Sequence, residues 1–416
     1  MIKFKKKLFP IEYIIWGILI YTFSYNILYS IDKYIGHVFG LVGVLIAFIS
    51  IKYPKYKPLK NGETFFLFYT LLIWLFIVYI RGFFSPNATN AFIDFVSNRK
   101  GIVAYLTPCI LFFGIRSLNI RTIFRLCYIS VIIGILYALI NFKEIYLISH
   151  VSLLTAESWA EMKNEVNMGQ IPGYFILPGA LILMCYDFIS KRKLRVVWFG
   201  FFLSLGAAVA YGRRSYIAFH VLYVLCIGYI YFTSKKSSFG NKILIFSIIA
   251  VAVATVVSSF ADISFFNVIG ERFGSDTRSG VESYMLNDFQ GKPLDWIFGR
   301  GYWGRYYCPL NIAGDTSSYR DLIETGYLQF ILKGGVLLLA LYVILILRAA
   351  YLGFFRSKNT IVKAMSLFLI TKILFLYSGN TLEFSLSGIV TWICVAFCYS
   401  DVWRNRITDS HIYKII

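Results

Sequence analysis

The sequence predicts an all-α fold: a polytopic membrane helical bundle of about twelve transmembrane helices with one large periplasmic loop. Three observations predict it. Of its 416 residues, 58% are hydrophobic and only 15% are charged, with a mean hydropathy of +0.68; a soluble domain carries about 25% charged residues. Apolar blocks of about 18 residues or more recur along the chain, long enough to cross a bilayer as helices. Basic residues gather in every second connection between those blocks. Each block is continuous, without the period-2 alternation of a membrane β-strand, so the spans are helical rather than a barrel.

Taken in order, the expected spans centre on residues 11–30, 35–52, 64–81, 101–115, 122–140, 171–189, 195–211, 215–233, 242–260, 332–350, 361–378 and 384–400. The first follows a basic stretch, Met1–Lys7, with no small-residue cleavage site behind it, so it is expected to stay as a span. Lys3, Lys5, Lys6 and Lys7 precede span one; Lys52, Lys55, Lys57 and Lys60 follow span two; Arg116, Arg121 and Arg125 follow span four. Lys191, Arg192, Lys193 and Arg195 continue the series, then Lys235, Lys236 and Lys242, then Arg348, Arg356, Lys358 and Lys363, and finally Arg404, Arg406 and Lys414. The positive-inside rule puts all of these, and both termini, in the cytoplasm. The net charge of +20 is thereby accounted for by membrane orientation, and no nucleic-acid partner is expected. The whole chain, 1–416, is expected to form one integral membrane domain.

The opposite face carries the longer loops. Residues 142–170 are acidic, with Glu144, Glu157, Glu161 and Glu165 against Lys143 and Lys163. Residues 261–322 form the large loop, which mixes both signs and about a dozen aromatics; loops of that length are commonly functional. Short helices are expected within it at 279–289 and 318–330.

Three places could carry chemistry. At Tyr211-Gly212-Arg213-Arg214-Ser215 two apolar spans meet with almost no connection. Arginines there either snorkel to lipid headgroups or clamp a diphosphate, for which the planar guanidinium fork is suited. The loop holds Arg272, Arg278, Arg300, Arg305 and Arg320 among Asp276, Glu282, Asp288, Asp295 and Asp315, and surface ion pairs account for some of them. Its Gly299–Tyr307 stretch interleaves Arg, Gly and aromatics, which suits either sugar stacking or a membrane interface belt. Glu324, near the start of span ten with Tyr327 three residues on, is a candidate general base. The alternative is a capping or pairing carboxylate with Arg320 as partner, and Asp321 is the nearest substitute. No acidic pair or Walker-type motif appears. The histidines, His37, His150, His220 and His411, are scattered, so neither metal nor cofactor is expected. Six cysteines lie in apolar runs and Cys308 alone in the loop, which leaves no disulfide to form there.

The layout resembles the O-antigen polymerase and O-antigen ligase family of bacterial membrane glycosyltransferases. The residues that carry the resemblance are Gly212-Arg213-Arg214-Ser215, an Arg near the start of the large loop (Arg272 or Arg278), the Gly299-x-Gly301 turn, and the segment from Gly326-Tyr327-Leu328 to Gly334-Gly335. Ligases of this family place a histidine near the start of the final motif; here Glu324 stands about there, which favours a polymerase. The resemblance implies a GT-C-like fold in the inner membrane and metal-independent transfer of a growing glycan. That glycan would pass from polyprenyl (undecaprenyl) diphosphate to a hydroxyl of a new lipid-linked repeat unit at the periplasmic face. Glu324, Arg213 and Arg278 would be catalytic, and Arg214, Arg272, Arg300 and Tyr327 would hold the diphosphate. Implied partners are the polyprenyl-diphosphate-linked oligosaccharide, membrane lipid, a chain-length regulator protein and a flippase. The product class is surface polysaccharide such as lipopolysaccharide O-antigen. A lipid-linked oligosaccharide flippase is the non-enzymatic rival, and it would be expected to show two similar halves and short outer loops.

Overall fold

The computed structural model describes residues 10–28, 33–49, 62–84, 104, 107–109, 120–143, 145, 171–210, 214–233, 278–309, 318–377, 379 and 385–415. These are mostly helical. Among the described residues, six helices are long and apolar enough to cross a membrane: Phe65–Gly82, Ile120–Ile140, Lys191–Ala210, Ser215–Thr233, Gly326–Phe355 and Thr360–Tyr377. Two shorter apolar helices cover Tyr34–Ala47 and Leu386–Tyr399. The chain is therefore a multi-pass membrane protein of all-α class. The expected span 242–260 and most of 101–115 lie outside the described residues.

The expected span at 171–189 is a correction. It is not one helix but four short pieces: α-helical Ile171–Ile176, 3-10 Leu177–Gly179, α-helical Ala180–Met184 and 3-10 Tyr186–Phe188. Pro178 has no amide hydrogen to continue the ladder and its ring crowds the preceding turn. The stretch Leu177–Met184 is nonetheless entirely buried.

The chain divides into two compact units. The middle one, Cys127–Ser279, holds most of the helix Ile120–Ile140, the broken segment, and the helices Lys191–Ala210 and Arg214–Thr233. The broken segment packs into its neighbours at close range. A Cβ on Gly179 would lie 2.4 Å from the Val131 side chain and 3.3 Å from that of Val197. His220 is a core residue here, as its mid-span position suggests, with Nδ1 2.7 Å from the Tyr216 carbonyl and its ring 4.5 Å from Phe201.

The other unit joins the two ends of the chain, Met1–Leu126 and Gly280–Ile416. Its first helices, α1 (Pro10–Phe23) and α2 (Lys33–Ile49), approach backbone to backbone. A Cβ on Gly17 would sit 2.4 Å from the Gly43 carbonyl oxygen, the close contact small residues permit between membrane helices. Helix α3 covers Gly62–Phe83. The C-terminal half is a bundle of α4 (Gly326–Phe355), α5 (Thr360–Leu374) and α6 (Leu386–Tyr399). Gly353 lets α4 meet Ser366 and Cys398, the Tyr399 hydroxyl donates to the Leu345 carbonyl at 2.8 Å, and Tyr342 packs edge-on against Trp392. Asn359 and Ser385 cap α5 and α6 by accepting from the amides of Val362 and Gly388, which satisfies donors left open by helix geometry.

Helix α4 is sharply bent. Gly335 has φ 72° and ψ −179° inside it, a region essentially confined to glycine. A straight helix would separate Phe330 from Tyr342 by roughly 18 Å, yet their ring centroids lie 4.7 Å apart. The segment Gly326–Gly334 is thus a separate arm folded back over the bundle. Its first residue meets the end of α5, where a Cβ on Gly326 would lie 2.9 Å from the Leu376 carbonyl oxygen.

Candidate functional site

The described parts of the polar segment before α4, residues 278–309 and 318–325, are folded rather than a solvated loop. Helix α7 (Arg278–Phe289), expected at 279–289, is followed by α8 (Pro293–Phe298) and a two-residue antiparallel ladder, β1 (Tyr306–Tyr307) with β2 (Tyr319–Arg320). The segment builds its own apolar core. Met285, Phe289, Tyr306, Cys308 and Ile323 are buried against Leu328, Ile331 and Leu332 of the arm. Burial of the Tyr306 hydroxyl in that core raises its pKa well above the ordinary tyrosine value. All seven cysteines are free, Cys308 included.

Two glycine motifs quoted from the sequence turn out to be one joint. The turn after α8 passes through Gly299, at φ 68° and ψ −173°, and lies against the bend at Gly334-Gly335. A Cβ on Gly299 would sit 2.5 Å from the amide nitrogens of Gly334 and Gly335, and one on Gly335 would sit 2.0 Å from the Ile297 oxygen. With no side chains between them, the backbones bond directly: Arg300 N to Leu332 O at 2.8 Å and Gly301 N to Lys333 O at 2.9 Å. Helix α3 closes the third side. Arg81 donates to the Phe298 and Gly299 carbonyls at 2.8 and 2.9 Å, Trp74 to the Gly334 carbonyl at 2.9 Å, and Val78 O accepts from Tyr302 N at 3.0 Å. Lys333, 5% exposed, reaches the Gly304 carbonyl at 3.0 Å with its ammonium over the Tyr302 ring. Arg81, Trp74 and Lys333 escaped the sequence reading, because nothing in their spacing points to partners so distant along the chain.

Arg300 does not face outward for a diphosphate. Its Nε donates to Asp295 at 2.8 Å and its Nη1 to Asp288 at 2.5 Å and to the Arg305 carbonyl at 2.7 Å; the Phe289 ring lies beneath it at 4.4 Å. A guanidinium already matched to two carboxylates acts as a clamp within the segment. Burial pushes the Asp288 carboxyl up, but bonds from Arg300, Lys292 and the Tyr307 amide outweigh it and hold its pKa at about 2.

The remaining candidates fall as follows. Arg213 and Arg272 lie outside the described residues. Arg214 and Arg278 are the first residues of their helices. Glu324 is exposed and precedes α4, which begins at Gly326, while Arg320 lies in β2. The expected helix 318–330 therefore starts later, and Glu324 shares no helical face with Tyr327 or Arg320. The carboxylate that meets the arm is instead Glu282 of α7. It accepts from the hydroxyl of Thr325, 1% exposed, and lies within electrostatic reach of Tyr327, as does Tyr377 at the end of α5. Thr325 occupies the N-cap of α4 without bonding the helix's own amides; its hydroxyl is given to Glu282. Among the described residues no cluster of side chains could hold a metal ion.

These features define a class: a multi-pass helical membrane protein with a folded polar segment fastened to its helix ends. Compared with protein-family models, curated proteins and solved structures, the chain matches none.

Proposed function

We propose that this chain is a polymerase of bacterial surface polysaccharide in the inner membrane, with both termini cytoplasmic and the polar segment on the periplasmic face. It transfers a growing glycan from polyprenyl diphosphate to a hydroxyl of a new polyprenyl-diphosphate-linked repeat unit. The observation that carries the reading is the polar segment itself. A stretch with its own apolar core, rich in carboxylates, arginines and tyrosines, is joined by backbone contacts to membrane helices, where a lipid-linked sugar would arrive. The donor's leaving group is already a diphosphate, so catalysis requires stabilisation of its developing charge and removal of the acceptor's proton. Fixed cationic groups serve the first need, and Arg213, Arg214, Arg272 and Arg278 are assigned to it. A carboxylate serves the second.

A flippase is the second reading. The backbone breaks at Leu177–Gly179 and at Gly335 favour it, since discontinuous helices mark many transporters. Gene deletion separates the two: loss of a polymerase leaves single repeat units at the cell surface, and loss of a flippase leaves none. An O-antigen ligase would leave polymer on its lipid carrier when deleted. The polymerase reading further expects Arg278→Ala to accumulate in the membrane normally while surface glycan shrinks to one repeat; full-length glycan from that variant refutes the assigned role.

A further inference from the structure

The sequence offers Glu324 as a candidate base, but the folded chain presents a different carboxylate to the arm. Glu282 is half-buried on α7 and takes one hydrogen bond, from Thr325. A carboxylate has about four acceptor sites, so further capacity remains for a hydroxyl. Among the side chains described, which do not include that of Arg278, no lysine or arginine forms an ion pair with it. Asp288 and Asp295, on the same segment, are by contrast both paired with Arg300. The surroundings suit a sugar. Tyr327 lies within electrostatic reach of Glu282 on one side and of Tyr377 on the other, and Tyr377 is 75% exposed; a tyrosine ring near a carboxylate is a pairing that stacks on a pyranose and bonds its hydroxyl.

We propose that Glu282 is the general base of the transfer, accepting the proton of an acceptor sugar hydroxyl bound beside Tyr327 and Tyr377. This rests on the polymerase reading above. In the step, the acceptor O–H bond breaks and its proton passes to a Glu282 oxygen. The freed electron pair forms the new bond to the donor's anomeric carbon. The bond from that carbon to the diphosphate oxygen breaks, and its electrons leave with polyprenyl diphosphate. Thr325 is a positioning residue that orients the carboxylate through its hydroxyl.

The test uses the full chain in lipid nanodiscs with a polyprenyl-diphosphate-linked repeat unit as both donor and acceptor. Glu282→Gln is expected to lower kcat by about 100-fold or more while KM stays within about twofold, because only the proton acceptor is removed. Glu282→Asp should recover part of the rate. If Glu282→Gln polymerises at the native rate while Arg278→Ala does not, the base assignment is overturned and the polymerase reading stands. If the native chain itself joins no repeat units, the polymerase reading falls, and this proposal with it. Thr325→Val supplies an independent check should the glutamine variant fail to accumulate. It is expected to lower kcat about threefold to tenfold and move the acid limb of the pH profile; an unchanged profile and rate overturn the proposal.

Discussion

Replacing Gly335 by alanine should open the polar segment without disturbing the rest of the bundle. Alanine at φ 72° and ψ −179° enters a backbone region that costs of order 1–3 kcal/mol for any residue with a Cβ. The new methyl would also lie 2.0 Å from the Ile297 oxygen and 2.5 Å from the Phe298 nitrogen, so α8 and the arm must part. Parting them strains the bonds from Arg300 N and Gly301 N to the arm, each worth about 1 kcal/mol. Together the loss is roughly 3–5 kcal/mol. Cys308 offers the assay, because it is wholly buried in the segment's core and reacts with a maleimide only when that core opens. The opening should become about 100-fold more frequent or greater, at 1.4 kcal/mol per factor of ten. Gly291→Ala is the comparison: Gly291 has φ +73° but nothing within 4 Å of its Cβ position, so backbone strain alone costs about 1 kcal/mol. Equal labelling of Cys308 in the two variants would refute the close-packed joint.

Other predictions bear on neighbouring contacts. Arg300→Lys keeps the charge but loses the fork that reaches Asp288, Asp295 and the Arg305 carbonyl together; it should weaken the segment by about 2 kcal/mol, read by the same labelling. Asp288 has its folded pKa lowered from 3.8 to about 2. Its contribution to stability is therefore complete above the ordinary value and is lost as pH falls towards 2; Asp288→Asn should flatten that acid slope in a titration of Cys308 reactivity. Gly43→Leu would force a side chain into the Gly17 carbonyl and should cost about 2 kcal/mol, seen as a lower melting temperature in detergent. Trp74→Phe removes the indole bond to the Gly334 carbonyl and shrinks the ring that packs against Phe298, and should cost about 1–2 kcal/mol.

The apolar blocks were legible because a membrane span announces itself by composition and length, and helix α7 was legible between its flanking loops. What composition cannot announce is where a span stops being a helix. Pro178 was visible, but an apolar run of constant hydropathy carries no mark of the 3-10 turns it produces. The Gly299-x-Gly301 and Gly334-Gly335 motifs were each visible as glycines, yet their meeting depends on a bend whose direction is set by packing. Arg300 shows the same limit from the other side. Its partners are 12 and 5 residues away in sequence, at no helical spacing, so a residue suited by type to a diphosphate proved to be committed to two aspartates. Glu324 shows a related limit: the helix expected over 318–330 begins only at Gly326, which leaves Glu324 ahead of it and off the helical face of Tyr327.

The interrupted stretch Leu177–Met184 constrains how the polypeptide can be made. Its irregular backbone lies wholly within protein, and the carbonyl of Phe175 just before the interruption is met at 2.6 Å by the hydroxyl of Ser130, a residue translated earlier. Hydrocarbon offers nothing to such groups. Release of this stretch sideways into lipid as it emerges from the ribosome would strand them, so it must wait beside its elder neighbour until the helix starting at Lys191 arrives to shield it. Biogenesis of this region is then a joint event of three consecutive stretches, not a string of independent insertions.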